Sequence, residues 1–495
     1  MYKPLIEIND WSGGMTLKSD VGNANQFDRG YNVDFLAKKG KLTCNRSYER
    51  GELTSSVEMP TQFKDIIGGS DGKIYAGGGD TKIYDLSAFA TIAVANDSAQ
   101  TGEVNGMMEY KGDMYYAQST TIGKFDLSST WEDDWQTGIE AAVHRMHVAT
   151  DNNLYITNGK YVAKFDGTTF TSDVLDLSDG WIVNDLNDFG EAYLAVGATF
   201  YAGANKPVKS RIFLWDKVSD TWVDEINIPE KEIHALEFSA GYLWVWAGGS
   251  ANAYVIPDGS RKATKMTDFN TESEVELRVY PGAVTHRNGM IYFGLSDNAV
   301  ASDINKIIHP SAPCGIYAFP ADPNNFSLNR VFKNADNSNI YYSVNHIATA
   351  SGFGSIYFSE HYYASPIADH DYVRREDTGS GSSLYVSPGQ VETFEYTAPA
   401  NKRMMTEAFG IEFESLPAST NIQLEYQADN DGTWTVLFLA QITGATEEIK
   451  YKHIKAKSLK LRIVITGTAA VNTYARPYVK RVFVTGNLIG RTKWN

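Results

Sequence analysis

A short motif recurs along most of this 495-residue sequence. Each copy has a turn residue, usually Gly, followed three positions later by an aromatic residue. The seven copies end at Tyr75, Tyr115, Tyr155, Tyr193, Trp244, Tyr292 and Tyr357. These aromatic residues are 40, 40, 38, 51, 48 and 65 positions apart. A repeat of this length indicates one structural unit per copy, with neighbouring units stacked to bury a continuous core.

Each copy contains about four short segments in which apolar and polar residues alternate, a pattern typical of β-strands. In the compact copies, the segment after the motif closes on an aromatic residue followed by Asp, as at Phe125–Asp126 and Phe165–Asp166. We expect the Asp to cap the next turn and the repeated aromatic residue to pack between neighbouring units. Four strands in about 40 residues are typical of a β-propeller blade. The sequence therefore predicts about seven blades within residues 62–377.

The rest of the sequence lacks the repeat. Residues 1–61 predict an ordered N-terminal segment with strands, and the TGSGSS stretch at 378–383 predicts a flexible linker. Residues 384–495 contain alternating strands and a tight turn, which favour a small antiparallel β-sandwich. We therefore expect an all-β protein, with a β-propeller of about seven blades followed by a C-terminal antiparallel β-sandwich.

Composition argues against several classes of function. No stretch approaches the roughly 18 apolar residues that a spanning helix needs, so we expect no membrane span. The net charge of −16 argues against general binding to a phosphate backbone, which requires clustered Lys and Arg. Two cysteines are too few for a disulfide framework.

No motif points to catalysis or to a cofactor. Cys44 and Cys314 lack any catalytic signature, and structural thiols are the favoured interpretation. The turn Ala428–Trp434 is similar to the Asp-box of sialidases, but no residue separates Asp431 from Gly432, and a hairpin turn accounts for it. The two carboxylates of a glycosidase cannot be identified among 60 acidic residues. We predict that the protein is not an enzyme and has no catalytic residue, cofactor or metal ion.

Several histidines fall in or near the first predicted strand of different blades. They are His144, His147, His234, His286 and His346. If the first strands line a central channel, these side chains could converge there and bind a metal ion. Polar residues that face a water-filled channel are the favoured interpretation.

The C-terminal region has an uneven charge distribution. Residues 451–495 contain ten Lys and Arg and no Asp or Glu, whereas residues 391–450 contain ten acidic residues and three basic ones. Pairing between strands of the same sheet accounts for much of this asymmetry. The alternative is contact with an acidic neighbour, for which Arg491, Lys493 and Trp494 are the candidate interface residues.

Both ends of the sequence carry short motifs that together resemble structural proteins of tailed bacteriophages. The motifs are a Gly-Gly turn, two strand motifs with a following Arg, a turn motif and a late strand: Gly13–Gly14, Asn32–Phe35, Gly40–Leu42, Arg46, Tyr426–Trp434 and Leu461–Ile463. In that family they flank propeller blades, as in the hub or nozzle of short phage tails.

The resemblance implies a virion tail protein without catalysis, made in the host cytoplasm. It implies a homo-oligomeric ring that contacts other tail or neck proteins, and an acidic inner surface would suit passage of DNA without specific binding. One alternative is a carbohydrate-binding virion protein that recognises a host surface receptor, which the many Tyr and Trp residues and the long loops of the later copies favour. A less favoured alternative is a polysaccharide hydrolase. The fold alone does not separate these functions, because propellers support all three.

Overall fold

The computed structural model describes residues 4–11, 29–34, 41–44, 48–50, 63–89, 91–98, 102–203, 206–267, 269, 276–297, 314–332, 340–349, 355–364, 367–376, 388–470 and 473–490. These residues form β-strands and one turn of 3-10 helix at Pro323–Asn325. They contain no helix that is long and apolar enough to cross a membrane. The linker predicted at 378–383 and the candidate interface residues Arg491, Lys493 and Trp494 lie outside them.

Five short strands come first in the chain: β1 (Pro4–Ile8), β2 (Arg29–Tyr31), β3 (Val33–Asp34), β4 (Thr43–Cys44) and β5 (Tyr48–Arg50).

Four four-stranded antiparallel sheets then follow one another. Sheet 1 contains β6 (Phe63–Gly68), β7 (Ile74–Gly78), β8 (Lys82–Asp85) and β9 (Ala93–Asp97). Sheet 2 contains β10 (Val104–Tyr110), β11 (Asp113–Gln118), β12 (Thr121–Phe125) and β13 (Trp131–Thr137). Sheet 3 contains β14 (Met146–Val148), β15 (Leu154–Asn158), β16 (Tyr161–Phe165) and β17 (Phe170–Asp176). Sheet 4 contains β18 (Trp181–Phe189), β19 (Tyr193–Tyr201), β20 (Pro207–Trp215) and β21 (Asp224–Ile228).

Three more sheets complete the series. Sheet 5 contains β22 (Ile233–Ser239), β23 (Tyr242–Ala247), β24 (Asn252–Pro257) and β25 (Thr264–Thr267). Sheet 6 contains β26 (Leu277–Arg278), β27 (Val284–Arg287), β28 (Met290–Asp297), β29 (Gly315–Pro320) and β30 (Asn329–Phe332). Sheet 7 contains β31 (Ile340–Thr349), β32 (Ile356–Ala364), β33 (Ile367–Glu376) and, as its outer strand, β5. Consecutive strands pair in sheets 1 to 5, which is the strand order of β-propeller blades. In sheet 6 both β26 and β27 pair with β28, which is followed by β29 and β30, and in sheet 7 β5 supplies the fourth strand.

The remaining strands are β34 (Gly389–Glu392), β35 (Tyr396–Thr397), β36 (Lys402–Phe413), β37 (Asn421–Ala428), β38 (Thr435–Ala440), β39 (Glu447–Tyr451), β40 (Lys455–Ala456), β41 (Ser458–Thr466), β42 (Thr468–Ala470), β43 (Thr473–Ala475) and β44 (Val479–Gly490). Sheet A has the order β1-β44-β36-β39, with β40 also paired to β36. Sheet B has the order β2-β34-β41-β37-β38, with β35 also paired to β41. The strands β3 and β4, and β42 and β43, form two-stranded sheets.

Burial patterns explain why sheets 1 to 7 differ from simple amphipathic hairpins. The second strands are buried on both faces, as at β7 and β15, whereas the fourth strand β13 alternates between exposed and partly buried residues. A strand packed between two neighbours must be apolar on both faces, and an outer strand need not be. Tight turns connect the inner strands: Lys111 and Gly112 both have positive φ, as a two-residue type I′ hairpin requires.

Hydrophobic clusters lie between neighbouring sheets. Separate clusters join sheets 1 and 2, 2 and 3, 3 and 4, and 4 and 5. Another joins sheet 7 to sheet 1 through contacts such as that between Tyr357 and Phe89. The largest cluster contains residues of sheets 5, 6 and 7 together with residues of sheets A and B. The chain is therefore all-β with a propeller fold, and its C-terminal sheets share a core with the last propeller sheets.

The N-terminal strands are distributed among sheets that the rest of the chain builds. β1 pairs with β44 in sheet A, β2 with β34 in sheet B, and β5 with β33 in sheet 7. The backbones of Leu42 and Val479 exchange two hydrogen bonds, and Arg476 lies 3.5 Å from Asp34. The described N-terminal strands therefore connect the C-terminal sheets to the propeller.

Candidate functional site

The seven repeated aromatic residues lie on equivalent strands. Each is on the second strand of its sheet: Tyr75 on β7, Tyr115 on β11, Tyr155 on β15, Tyr193 on β19, Trp244 on β23, Tyr292 on β28 and Tyr357 on β32. All are buried except Tyr193 and Tyr292, which are partly buried.

Tyr193 differs from Tyr155 in its register with the third strand. Tyr155 pairs with Lys164, the residue before Phe165, whereas it is Ala195 that pairs with Leu214, the residue before Trp215. Ala195 therefore takes the place of Tyr155 in sheet 4, and Tyr193 lies two residues earlier.

Local carboxylates hold the hydroxyl groups of two of these tyrosines. Tyr75 donates to Asp71 over 2.6 Å, and Tyr155 donates to Asp151 over 2.7 Å, each four residues earlier in the chain. Burial and these carboxylates raise the pKa of both phenols far above the usual value. Both hydroxyl groups therefore remain protonated, and the two rings act in packing.

The Asp that closes the third strand organises the following turn. Asp126 accepts the N–H groups of Ser128, Ser129 and Thr130 over 2.8–2.9 Å. Asp166 and Asp216 accept equivalent bonds. These backbone donors lower the pKa of all three carboxyl groups. The turn-capping role expected from the sequence is the one observed.

A different set of charges lies where the first strands meet. Asp65 of β6 is 2% exposed and accepts the N–H of Ile66 in its own strand and that of Met107 in sheet 2, both over 2.9 Å. Arg145, next to β14, places Nη1 3.2 Å from the second oxygen of Asp65. His346 of β31 places Nδ1 2.9 Å from the first. One carboxylate thus contacts sheets 1, 2, 3 and 7.

Asp185 of β18 repeats this arrangement in sheet 4. It accepts the N–H of Leu186 over 3.0 Å and that of Leu236 in sheet 5 over 2.9 Å. Its Oδ1 lies 3.9 Å from Nε of Arg145. Arg145 therefore lies between the two aspartates, and we call Asp65, Arg145, Asp185 and His346 the central cluster.

A glycine beside sheet 6 leaves room for the side chains of the central cluster. Gly282 precedes β27, and a Cβ there would lie 2.6 Å from the Arg145 guanidinium and 2.7 Å from His346 Nδ1. The φ of Gly282 is +87°, which also disfavours other residues. Each of sheets 1 to 7 thus contributes a side chain, a backbone donor or a close approach.

The two aspartates have opposite pKa shifts. Burial would raise the pKa of Asp65, but His346 and Arg145 outweigh it and leave that pKa lowered. Burial raises the pKa of Asp185 to about 6, because Arg145 is more distant and Glu237 adds a like charge. The positive charge near each aspartate therefore decides how easily it is protonated, and Asp185 takes up a proton more readily than Asp65.

The five histidines singled out in the sequence do not share one site. His346 belongs to the central cluster, and His144 lies between the carbonyls of Thr157 and Ser119. His147 lies 3.1 Å from Asp188, and His286 bonds Glu237. Burial lowers the pKa of His234 well below its usual value. The described residues contain no group of three or more His, Cys, Asp or Glu side chains that could hold a metal ion.

The other singled-out features have structural roles. Cys314 is a buried free thiol, and burial raises its pKa to about 12. In the Asp-box-like turn, Asp429, Asn430 and Gly432 have positive φ, which confirms a hairpin turn between β37 and β38.

Sequence reasoning missed both aspartates of the central cluster. Each follows a register shift in the pairing of the first and second strands and precedes an apolar residue, as Lys64-Asp65-Ile66 and Asn184-Asp185-Leu186. This shared Asp–apolar pattern in the first strands is the sequence signal that identifies the two aspartates.

Comparisons with known proteins add similarities of fold. The WD40 β-propeller domain of Doa1 is 13% identical, with a TM-score of 0.44, covering 67% of this chain and 97% of that chain. The WD40 domain of Neurospora crassa Pan2 is 10% identical, with a TM-score of 0.43, covering 69% and 98%. The computationally designed Ika8 protein is 11% identical, with a TM-score of 0.41, covering 65% and 90%. No protein-family model and no curated protein matches the chain. The propeller fold therefore rests on the strand order described above.

Proposed function

We propose that this chain is a non-catalytic structural component of a tailed-phage virion, a hub- or nozzle-like tail protein that acts through protein–protein contacts. The observation that carries the proposal is the use of the central charges. Arg145 contacts both Asp65 and Asp185, and each aspartate accepts a backbone N–H of a neighbouring sheet, so these charges hold sheets together. Polar groups engaged in this way suit a rigid scaffold.

We further propose that sheets 1 to 7 are the seven blades of a closed ring and that sheets A and B form a β-sandwich. Hydrophobic clusters between successive sheets, including one between sheets 7 and 1, support the ring. Side chains of sheets A and B in one cluster, such as Phe409 and Leu424, support the sandwich. Completion of sheet 7 by β5 would fasten the ring, because both ends of the repeat then share one sheet.

The proposed partners are other copies of the chain in a homo-oligomeric ring and other tail or neck proteins. The acidic character of the first 390 residues would let DNA pass without specific binding. The proposed location is the virion tail, after synthesis in the host cytoplasm. The motifs shared with phage structural proteins support this placement.

Mass spectrometry of purified particles tests the proposal directly. We expect the chain in tailed particles at a fixed multiple of the portal protein, and we expect its gene deletion to give particles that do not infect. Absence from particles contradicts the proposal. Release of sugars from host polysaccharide by the purified chain would favour a hydrolase, and saturable binding to the host surface would favour receptor recognition.

A truncation tests the C-terminal interface residues. The cut must follow Gly490, because β44 extends to that residue and pairs with β36. Removal of residues 491–495 should leave the melting temperature unchanged and prevent incorporation into particles. Normal incorporation of the truncated chain would exclude Arg491, Lys493 and Trp494 as contacts.

A further inference from the structure

Two strand edges lie side by side at one margin of the C-terminal sheets. In the described part of the chain, β38 is the terminal strand of sheet B and β39 is the terminal strand of sheet A. Residues 441–446 connect them, and the two strands contact each other. An edge strand offers unpaired N–H and C=O groups to another strand.

Apolar side chains are exposed along these edges. Val436, Leu439, Ile442, Ile449 and Tyr451 are each more than a third exposed, and we call them the edge patch. Ile442 is 73% exposed and Tyr451 is 79% exposed. Exposed apolar side chains concentrated on two neighbouring strands indicate an interaction surface.

Basic residues border the edge patch. Lys450, Lys455 and Lys457 are exposed. Glu447 and Glu448 lie at the opposite end of β39. A strand that pairs with this edge should carry acidic side chains beside apolar ones.

The outer strand of sheet 2 has this chemistry. Glu132 and Asp134 of β13 are exposed, and β13 is the terminal strand of its sheet. Trp131 and Trp135 lie on opposite faces of sheet 2: Trp131 stacks on Phe125 at 3.9 Å in the cluster shared with sheet 1, and Trp135 contacts Phe165 of sheet 3 at 4.9 Å. The tryptophans anchor β13 on both faces of its own sheet, and Glu132 and Asp134 remain exposed beside them.

We propose that the edge patch binds β13 of a second copy of this chain, with Lys450 and Lys455 facing Glu132 and Asp134. The two surfaces differ, so each copy offers both, and the contact repeats from copy to copy into a ring or a filament. This inference rests on the proposed structural role, because it supplies the contact through which copies assemble.

Charge reversal in the purified full-length chain tests the pairing. In one variant Lys450→Glu and Lys455→Glu reverse the basic edge, and in the other Glu132→Lys and Asp134→Lys reverse β13. Sedimentation velocity over a concentration series should show that the parent self-associates and that each variant alone does so with a dissociation constant raised about tenfold or more. An equimolar mixture of the two variants should associate again, because each then meets an opposite charge.

Matched controls change the same charges elsewhere. Lys262→Glu and Asp220→Lys alter exposed residues of sheets 5 and 4 and should leave association unchanged. A parent chain that stays monomeric, variants that associate like the parent, a mixture without recovery, or controls that weaken association equally would each overturn the inference. Detection of the chain in particles does not depend on this result, so failure here and failure of the proposed function are distinguishable.

Discussion

The inner and outer ends of the propeller sheets use the same residue type in different ways. At the outer turns, Asp126 accepts three N–H groups within four residues of itself. At the inner strands, Asp65 accepts one neighbouring N–H and one from the next sheet, 42 residues away, and it also contacts Arg145 and His346. The outer carboxylate orders a turn, whereas the inner one joins sheets.

Burial determines how much stability is lost when either carboxylate is removed. Asp126 remains near solvent, so water can satisfy its turn if the carboxylate is lost. Asp65 is enclosed, so its loss would leave backbone donors and the Arg145 guanidinium without an acceptor. A buried donor or charge without a partner is costly, whereas an exposed one is not.

The largest expected effect follows from Asp65→Asn. The amide keeps one acceptor but presents N–H groups where the carboxylate accepted bonds, and it removes the charge beside Arg145. We expect the propeller to lose about 3–5 kcal/mol of stability, the range for breaking a buried pair. Urea unfolding followed by tryptophan fluorescence should show a lower midpoint. A midpoint equal to that of the parent would show that the inner aspartate does not join the sheets.

The two ends also differ in what the sequence predicts. The outer turn was predictable because its donors and its acceptor are neighbours in the chain, so Phe125–Asp126 contains the whole arrangement. The central cluster was not, because successive members among Asp65, Arg145, Asp185 and His346 lie 40 to 161 residues apart and meet only when the sheets assemble. The repeat indicated the propeller but not which inner residues would meet.

The N-terminal strands show the same limit. Residues 1–61 carried strand patterns, but strand periodicity does not specify a partner that lies hundreds of residues away. β1 pairs with β44, and β2 pairs with β34. Local alternation predicts which residues face a core, whereas long-range pairing depends on the surfaces that the finished sheets leave open.

A smaller, pH-dependent effect is expected at Asp185. Its pKa in the folded state, about 6, lies above its ordinary value of 3.8, so the folded state binds the proton more tightly. Protonation of Asp185 should therefore contribute on the order of 2 kcal/mol of stability as pH falls from 7 towards 4. Arg145 and Glu237 are the charged groups that face it.

Asp185→Asn should remove this part of the pH dependence, because the amide does not titrate. The free energy of unfolding of the parent minus that of the variant should be larger at pH 5 than at pH 8. Denaturation midpoints at the two pH values measure it, and an equal difference at both would show that Asp185 does not titrate in this range. Asp65 has the opposite sign, because its lowered pKa favours stability above pH 3.8 that is lost on acidification.

The smallest effect is expected from Asp126→Asn, which makes the same chemical change as Asp65→Asn at the outer turn. The amide oxygen can still accept from the turn, and water reaches the donors that it leaves. The melting temperature should stay close to that of the parent, and Asp126→Ala, which removes the acceptor, should lower it further. The lowered pKa of Asp126 means that its contribution is present above pH 3.8 and is lost in acid, so the parent and Asp126→Ala should converge there. If Asp126→Asn destabilised the chain as much as Asp65→Asn, burial would not be what distinguishes the two ends of the sheets.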